Sequence, residues 1–316
     1  MQVTRGAAPL AHPVALTIGN FDGVHLGHQA MLARVLKVAQ ERDLDSCVLT
    51  FEPHPQEFFA PESAPTRLTS LREKLELLAD WGVGRVHVQR FSRQFAAIAP
   101  RTFIEGMLAG NLRARWVLVG EDFRFGARRA GDLALLKTLG PASGLEVEAM
   151  QTVAESGARV SSSAVRAALA AGDLARARVL LGRFYSISGR VVHGDKLGRT
   201  LGFATANVQV KHNRAPLAGI FAVRMFGATA RGATPAVALP GVASLGVRPT
   251  VTDSGRSVLE VHLFDFSGEL YGRHVRVEFL HKIRDEEKYS SLDLLKAQIA
   301  RDCDKARALL LEPHHA

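Results

Sequence analysis

Cysteine is scarce in this chain: among 316 residues only Cys47 and Cys303 carry thiols, far apart and without a CxxC pair. That excludes a disulfide framework and a cysteine zinc site. Aromatic residues make up 7%, with two Trp and three Tyr, and no platform for stacking bases stands out. No apolar run is long enough for a membrane span. Met1 to Pro13 holds one arginine and no sustained apolar stretch, so a secretory leader is not expected. The phosphate loop GxxxxGK[ST] occurs nowhere. A basic arm is missing too. The formal charge of +9 is spread out, and its densest short cluster, Arg124 with Arg128 and Arg129, is small. Polyanionic small substrates or solubility account for that charge as well as nucleic acid does. The expectation from these absences is a cytoplasmic protein that binds neither nucleic acid nor membrane, and no obligate protein partner is evident.

What is present suits a globular chain: 47% hydrophobic residues against 22% charged. The length favours two domains. In the first half, short apolar runs at Val14–Ile18, Cys47–Phe51, Arg85–Val88, Trp116–Val119 and Leu145–Ala149 alternate with helical patterns. Those patterns cover Gln29–Gln40, Leu71–Leu78, Pro100–Ala109 and Asp132–Leu139. The alternation predicts an α/β, Rossmann-like parallel sheet with helices on both faces, and ligands beyond the carboxyl ends of its strands. Helices over Ser162–Ala170 and Asp173–Leu180 close this part.

From Phe184 the texture becomes β-rich. Runs at Tyr185–Val192, Ala206–Val210, Phe221–Met225, Ala236–Ala238, Val258–Phe264 and Val275–Phe279 suggest an antiparallel barrel or sandwich. A terminal helix follows over Leu292–Leu311. The boundary is placed near Gly182, giving domains 1–182 and 183–316.

The densest chemistry lies in Gly19-Asn20-Phe21-Asp22-Gly23-Val24-His25-Leu26-Gly27-His28. A buried strand ends in a glycine turn, and a helix starts at two imidazoles. Free N–H groups and the positive helix end there suit a phosphate. Gly23 and Gly27 let backbone approach, and the histidines add donors near pH 7. Read alone, the histidine pair could cap the helix, and Asp22 could be a turn residue. The segment Ser161-Ser162-Ser163-Ala164-Val165-Arg166 opens another helix with hydroxyls and an arginine, apt for phosphate oxygens but equally an ordinary N-cap. In the second half, Gly194, Gly198 and Gly202 surround Lys196 and Arg199 in a loop that could fold around phosphates or be a solvated hairpin tip.

The HxGH tetrad within GNFDGVHLGH resembles the nucleotidyltransferase superfamily, and the longer form is similar to the adenylyltransferase half of bacterial bifunctional riboflavin kinase/FAD synthetases. Leu118–Gly126 and Val160–Arg166 resemble two further segments of that family, with Ser163 for its Thr. Gly189–Asn207 resembles the family's GxVxxGxxxGRxLGxPTAN signature, with Ala204 for its Pro. Gly246–Thr250 resembles GxRPT, with Ser244 where Asn is usual, and Leu259–Leu263 resembles the LExH strand.

The resemblance implies an N-terminal nucleotidyltransferase domain and a C-terminal riboflavin kinase barrel. ATP phosphorylates riboflavin to FMN, then adenylylates FMN to FAD, with Mg²⁺ assisting. Catalytic roles fall on His25, His28 and Glu260, the last as base toward the riboflavin hydroxyl. ATP of the adenylylation meets Gly19, Asn20, Phe21, Asp22, Gly23, Gly27, Asp122, Ser162, Ser163 and Arg166. Phe51 and His54 face FMN. ATP of the kinase meets Gly194, Lys196, Gly198, Arg199, Gly202 and Thr205, and Thr205 with Asn207 holds the metal. Read without the resemblance, Glu260 is an ordinary solvated strand residue. Loss of the proline at 204 is expected to loosen its loop and weaken the kinase without abolishing it.

Overall fold

A computed structural model describes residues 1–6, 9–155, 157–194, 202–212, 214–228, 237–248 and 256–311. Two compact units divide the chain: Met1–Pro65 with Leu71–Ser162, and Thr66–Ser70 with Ser163–Ala316.

The first unit is built on a six-stranded parallel sheet. Its strands are β1 (Gln2–Thr4), β2 (Val14–Ile18), β3 (Asp45–Glu52), β4 (Arg85–Arg90), β5 (Ala114–Gly120) and β8 (Glu146–Met150). Two hairpin pairs lie outside it, β6 (Arg124–Phe125) with β7 (Gly131–Asp132), and β9 (Ala154–Glu155) with β10 (Ala158–Arg159). Every residue of β2 is buried, as expected for a strand covered on both faces. Val14, Leu16 and Ile18 join one core cluster with Val117 and Val119. Ala15 points the other way, toward Val35, Val38 and Trp116, as strand alternation requires. Each such buried aliphatic side chain contributes about 1.5–3 kcal/mol.

The sheet order is β1-β4-β3-β2-β5-β8. The chain therefore steps outward from β2 to β3 and β4, then crosses back to place β5 on the other side of β2. The carboxyl ends of β2 and β5 flank the point where the order reverses, which is where open α/β sheets bind ligands. Helix α1 (Leu26–Glu41) starts there and turns Leu32, Val35, Val38 and Ala39 inward. Helices α2 (Pro55–Phe59), α3 (Leu71–Asp80) and α4 (Arg93–Ala96) come next.

One expected helix, Pro100–Ala109, is corrected. A single turn, α5 (Pro100–Thr102), passes into a π-helix over Phe103–Asn111, and Leu112 N–H reaches back five residues to Met107. Gly106 and Gly110 weaken the ordinary helix there, while the wider turn keeps Phe103, Ile104, Met107 and Leu108 buried together. Strand β1 is absent from the sequence reading, because three exposed or half-buried residues carry no apolar pattern. Helix α6 (Leu133–Leu139) completes this unit.

The second unit gathers most of α7 (Ser162–Ala170) and α8 (Leu174–Leu181) with a closed antiparallel barrel. Asp173 caps α8 by accepting from Arg176 N–H at 2.8 Å, and Gly182 ends it with φ 67°. The barrel strands are β11 (Tyr185–Val192), β12 (Ala206–Gln209), β13 (Gly219–Phe226), β14 (Leu239–Arg248), β15 (Arg256–Leu263) and β16 (His274–Arg284), closed in the order β11-β12-β15-β14-β13-β16. Helix α9 (Leu292–Leu311) packs Cys303 and Ala306 against Ala222, Val242 and Ile283.

The expected strand Ala236–Ala238 is also corrected. Ala236 lies outside the described residues, and the strand runs from Leu239 onward. The strand carries Pro240, Gly241 and Gly246, residues that are unfavourable in strand interiors. In the fold, a Cβ at Gly241 would run into the His262 carbonyl, so close backbone approach explains that glycine, whereas one at Gly246 would meet the end of the Glu286 side chain.

Candidate functional site

In the first unit the loop after β2 is held in an uncommon backbone conformation. Phe21 and Val24 have φ of 48° and 41°, on either side of Asp22, with Gly23 at 81°. A β-branched residue in the left-handed region is strained, by about 1–3 kcal/mol per residue of this kind. Both side chains are fully buried with Leu32, Val48, Leu78 and Val86, and that burial offsets the strain. Phe21 thus sits beneath the site, with its ring centroid 4.7 Å from that of His28.

His25 is the N-cap of α1, and its Nδ1 accepts from His28 N–H at 3.3 Å. In the neutral ring the proton is therefore on Nε2. The two imidazoles stack at 3.8 Å with 16° between planes. Burial, then His25, then the Lys74 ammonium push the His28 pKa well below 6.5, so His28 is neutral at pH 7. Its Nδ1 is closed to solvent and has no partner among the described residues, which a ligand or an ordered water would supply.

Lys74 of α3 is buried and donates to Thr50 Oγ1 at 3.4 Å, and Thr50 in turn donates to the Asn20 carbonyl at 3.2 Å. A Cβ at Gly27 would lie 3.2 Å from the His25 ring and 3.6 Å from the Val160 carbonyl. Ser162 Oγ donates to the Asp22 carbonyl at 2.9 Å. The structure therefore brings Asn20, Asp22, Gly27, His25, His28 and Ser162 together. Gly19 adjoins them at the end of β2, where its N–H bonds to the Leu49 carbonyl. Ser163 and Arg166 belong to the second unit, where Arg166 Nε donates to the Thr66 carbonyl at 2.6 Å.

Asp122 follows β5 and pairs with Arg159 at 2.6 Å, which holds its carboxyl below the usual range. Phe51, near the end of β3, lies edge-on to Phe91 at 5.9 Å. Phe58, Phe59 and Phe95 extend this aromatic group, and Phe59 is 66% exposed. His54 caps α2, its Nδ1 accepting from Gln56 N–H at 3.2 Å.

In the second unit the barrel register aligns Asn207 with Glu260 and Glu260 with Ser244. Neighbours in register share a face, so an amide, a carboxylate and a hydroxyl form one half-buried row. Ser244 Oγ donates to Glu286 at 3.1 Å, bringing a second carboxylate to the end of the row. Gly194 lies against the other end, where a Cβ would run into the Asn207 amide. Thr205 is half-buried beside this row, and Gly202 precedes it with φ 89°. Lys196, Gly198 and Arg199 lie outside the described residues.

Comparison with known proteins gives both halves a counterpart. The FAD synthetase family model matches residues 8–164, and the riboflavin kinase model matches residues 181–310. The bifunctional riboflavin kinase/FMN adenylyltransferase of Escherichia coli K12 is 52% identical over 91% of this chain and 90% of its own length. This chain belongs to that family. The Pseudomonas fluorescens member is 45% identical over the full length of both chains.

Among solved structures, a macrolide-efflux protein from Streptococcus pneumoniae covers 97% of this chain and 99% of its own, with TM-score 0.81 and 27% identity. Its name points away from flavins. The two family models and the closer relatives agree with each other, and among the described residues no helix is long and apolar enough to cross a membrane.

Several residues at these sites escape sequence reading. Lys74 sits in an ordinary amphipathic helix pattern, and only its burial sets it apart. Arg159 precedes the serine cluster, and its partner Asp122 is 37 residues away. Phe58, Phe59, Phe91 and Phe95 carry no spacing signal, and only the fold gathers them.

Proposed function

We infer that this chain makes both flavin cofactors: it phosphorylates riboflavin to FMN and then transfers AMP from ATP to FMN, giving FAD and pyrophosphate. The observation that carries the reading is that each matched segment coincides with a site. The stacked histidines at the sheet's reversal point lie in one, and the Asn207–Glu260–Ser244 row lies in the other. The division of labour falls near residue 182, with adenylylation assigned to 1–182 and kinase activity to 183–316.

For adenylylation, the FMN phosphate attacks the α-phosphorus and pyrophosphate leaves in line. No side-chain nucleophile is needed, so positioning and charge stabilisation carry the rate. His25 offers Nε2–H, neutral His28 offers a second ring donor, and the first N–H groups of α1 face the same phosphates. Gly19, Asn20, Asp22 and Gly23 shape the ATP loop above the Phe21 floor. Ser162, Ser163 and Arg166 add hydroxyls and a cation, and Asp122 binds on the nucleotide side. Phe51 and His54, with the neighbouring phenylalanines, offer the flavin ring an apolar wall.

For the kinase, Glu260 takes the proton from the riboflavin 5′-hydroxyl as that oxygen attacks the γ-phosphorus of ATP and ADP leaves. Gly194, Lys196, Gly198, Arg199, Gly202 and Thr205 are assigned to the phosphates. The Thr205 hydroxyl and the Asn207 carbonyl oxygen are hard donors, and the Glu260 carboxylate shares the row, a set that fits Mg²⁺. Bound there, Mg²⁺ would offset charge on the β- and γ-phosphates.

Isotopes test the assignment. Label at the γ-phosphorus of ATP should pass to FMN and on into FAD, whereas among the flavins label at the α-phosphorus should appear only in FAD, the rest staying in ADP. Release of inorganic phosphate without either product would sink the reading.

A further inference from the structure

A side chain of the barrel grips the backbone of Ala204, within the stretch Gly202–Asn207. Gly202 has φ 89° and meets nothing among the described residues where a side chain would stand, so it gives the stretch little rigidity. Alanine leaves its own φ free, where proline would fix it. The two residues after Gly202 are nevertheless held. The Phe203 ring packs on the cluster of Ala222, Val242, Phe264, Ile283, Cys303 and Ala306. His262, two residues beyond Glu260 on β15, donates from Nδ1 to the Ala204 carbonyl at 2.9 Å. A carbonyl only accepts, so Nδ1 carries the proton.

His262 is itself clamped. Phe203 meets its ring edge-on at 5.5 Å, and Phe264 does so at 6.0 Å. Arg307 of α9 lies 4.2 Å over Phe264 and forks onto Asp265 at 2.8 and 3.2 Å. That ion pair is exposed and adds little stability, but it orients the guanidinium. A chain of contacts thus runs from the terminal helix through Phe264 and His262 to the backbone at 204.

We propose that His262 is a positioning residue of the kinase half, holding the Ala204 carbonyl so that Thr205 and Asn207 present their oxygens to the nucleotide phosphates and metal. The physical link is short. The carbonyl of Ala204 and the N–H of Thr205 lie in one rigid peptide plane, so a bond to that carbonyl sets the plane from which Thr205 departs. The proposal rests on the roles given above to Thr205 and Asn207.

The test uses the full chain, with riboflavin phosphorylation measured against Mg·ATP and adenylylation of supplied FMN as internal control. In His262→Leu the KM for Mg·ATP should rise about fivefold, the factor one neutral hydrogen bond corresponds to, with kcat less affected and adenylylation unchanged. His262→Asn keeps an amide donor near the Nδ1 position and should recover most of the loss. Ala204→Pro in the His262→Leu background should lower KM again, because it restores stiffness by another route. Such non-additivity marks two residues acting on one segment.

If KM is unmoved in His262→Leu, or both His262 variants lose kcat and KM alike, or Ala204→Pro fails to rescue, the proposal is overturned. A wild-type chain that forms no FMN would instead overturn the roles of Thr205 and Asn207, and the proposal with them.

Discussion

The His28 ring, enclosed beside His25 and the Lys74 ammonium, stays neutral where an exposed imidazole would begin to charge. Its ordinary value is 6.5 and its folded value lies well below that. Between the two, the unfolded chain binds a proton that the folded chain does not. Stability is therefore unaffected above about pH 6.5 and is lost as pH falls toward the folded pKa. Urea midpoints at pH 7.5 and 5.5 check this: wild type should lose more than His28→Gln, and equal losses would contradict it. The same variant should slow FMN adenylylation by roughly 10²–10³-fold, the scale of a removed transition-state donor, and leave riboflavin phosphorylation intact. Glu260→Gln should do the converse, cutting FMN formation by roughly 10²–10⁴-fold while supplied FMN still becomes FAD.

At this scale the sequence is most legible where spacing is local. His25, Gly27 and His28 lie within one turn, and the strand before them is uniformly apolar. Lys74 and Arg159 act across long sequence separations, and neither residue type nor spacing marks them. Ser244, which in the sequence is only a departure from the family pattern, holds the Glu286 carboxylate.

Among elements, α9 depends on one buried ion pair. Asp302 is nearly inaccessible and accepts from Arg284 of β16 at 2.7–3.1 Å, with Gln298 adding a bond at 2.9 Å. Removing one partner strands the other charge, a cost of about 3–5 kcal/mol when burial is complete. Arg284 keeps 18% exposure, so Asp302→Ala should destabilise the second unit by about 2–3 kcal/mol, read as a lowered urea midpoint. A loss under about 0.5 kcal/mol would show that water compensates the arginine.

Elements with a clean period are legible almost to the residue, as in β2, α7, β11 and α9. Strand β1 is not, because it lacks an apolar pattern, and two further elements carry glycine. Gly106 and Gly110 weaken the ordinary helix over Phe103–Asn111, and Pro240, Gly241 and Gly246 interrupt the apolar pattern of β14. The two cases differ in cause: Gly106 and Gly110 act locally by loosening the helix, whereas the close approach of the His262 carbonyl at Gly241 is a tertiary fact that a glycine records without explaining.

For the whole molecule, the texture change at Gly182 and the grouping of contacts differ in an instructive way. Helix α8 buries Leu174, Ala177, Leu180 and Leu181 and groups with the barrel. The segment Thr66–Ser70 does too, its Leu68 carbonyl accepting from Tyr185 and bonding His212 at 3.1 and 3.3 Å. A fragment 163–316 should therefore melt several degrees above a fragment 183–316, since the shorter one exposes the surface that α8 covers. Equal midpoints would mean that α8 adds nothing to the barrel. Sequence texture reports a change in secondary structure, whereas compactness depends on what covers the barrel afterwards.

One chain carries both steps in series, and a time course of flavins separated by chromatography after riboflavin, ATP and Mg²⁺ are added to the purified protein reads this directly. FMN should rise first, and FAD should follow as FMN is consumed. Riboflavin left unchanged, or FMN that accumulates and never becomes FAD, would contradict it.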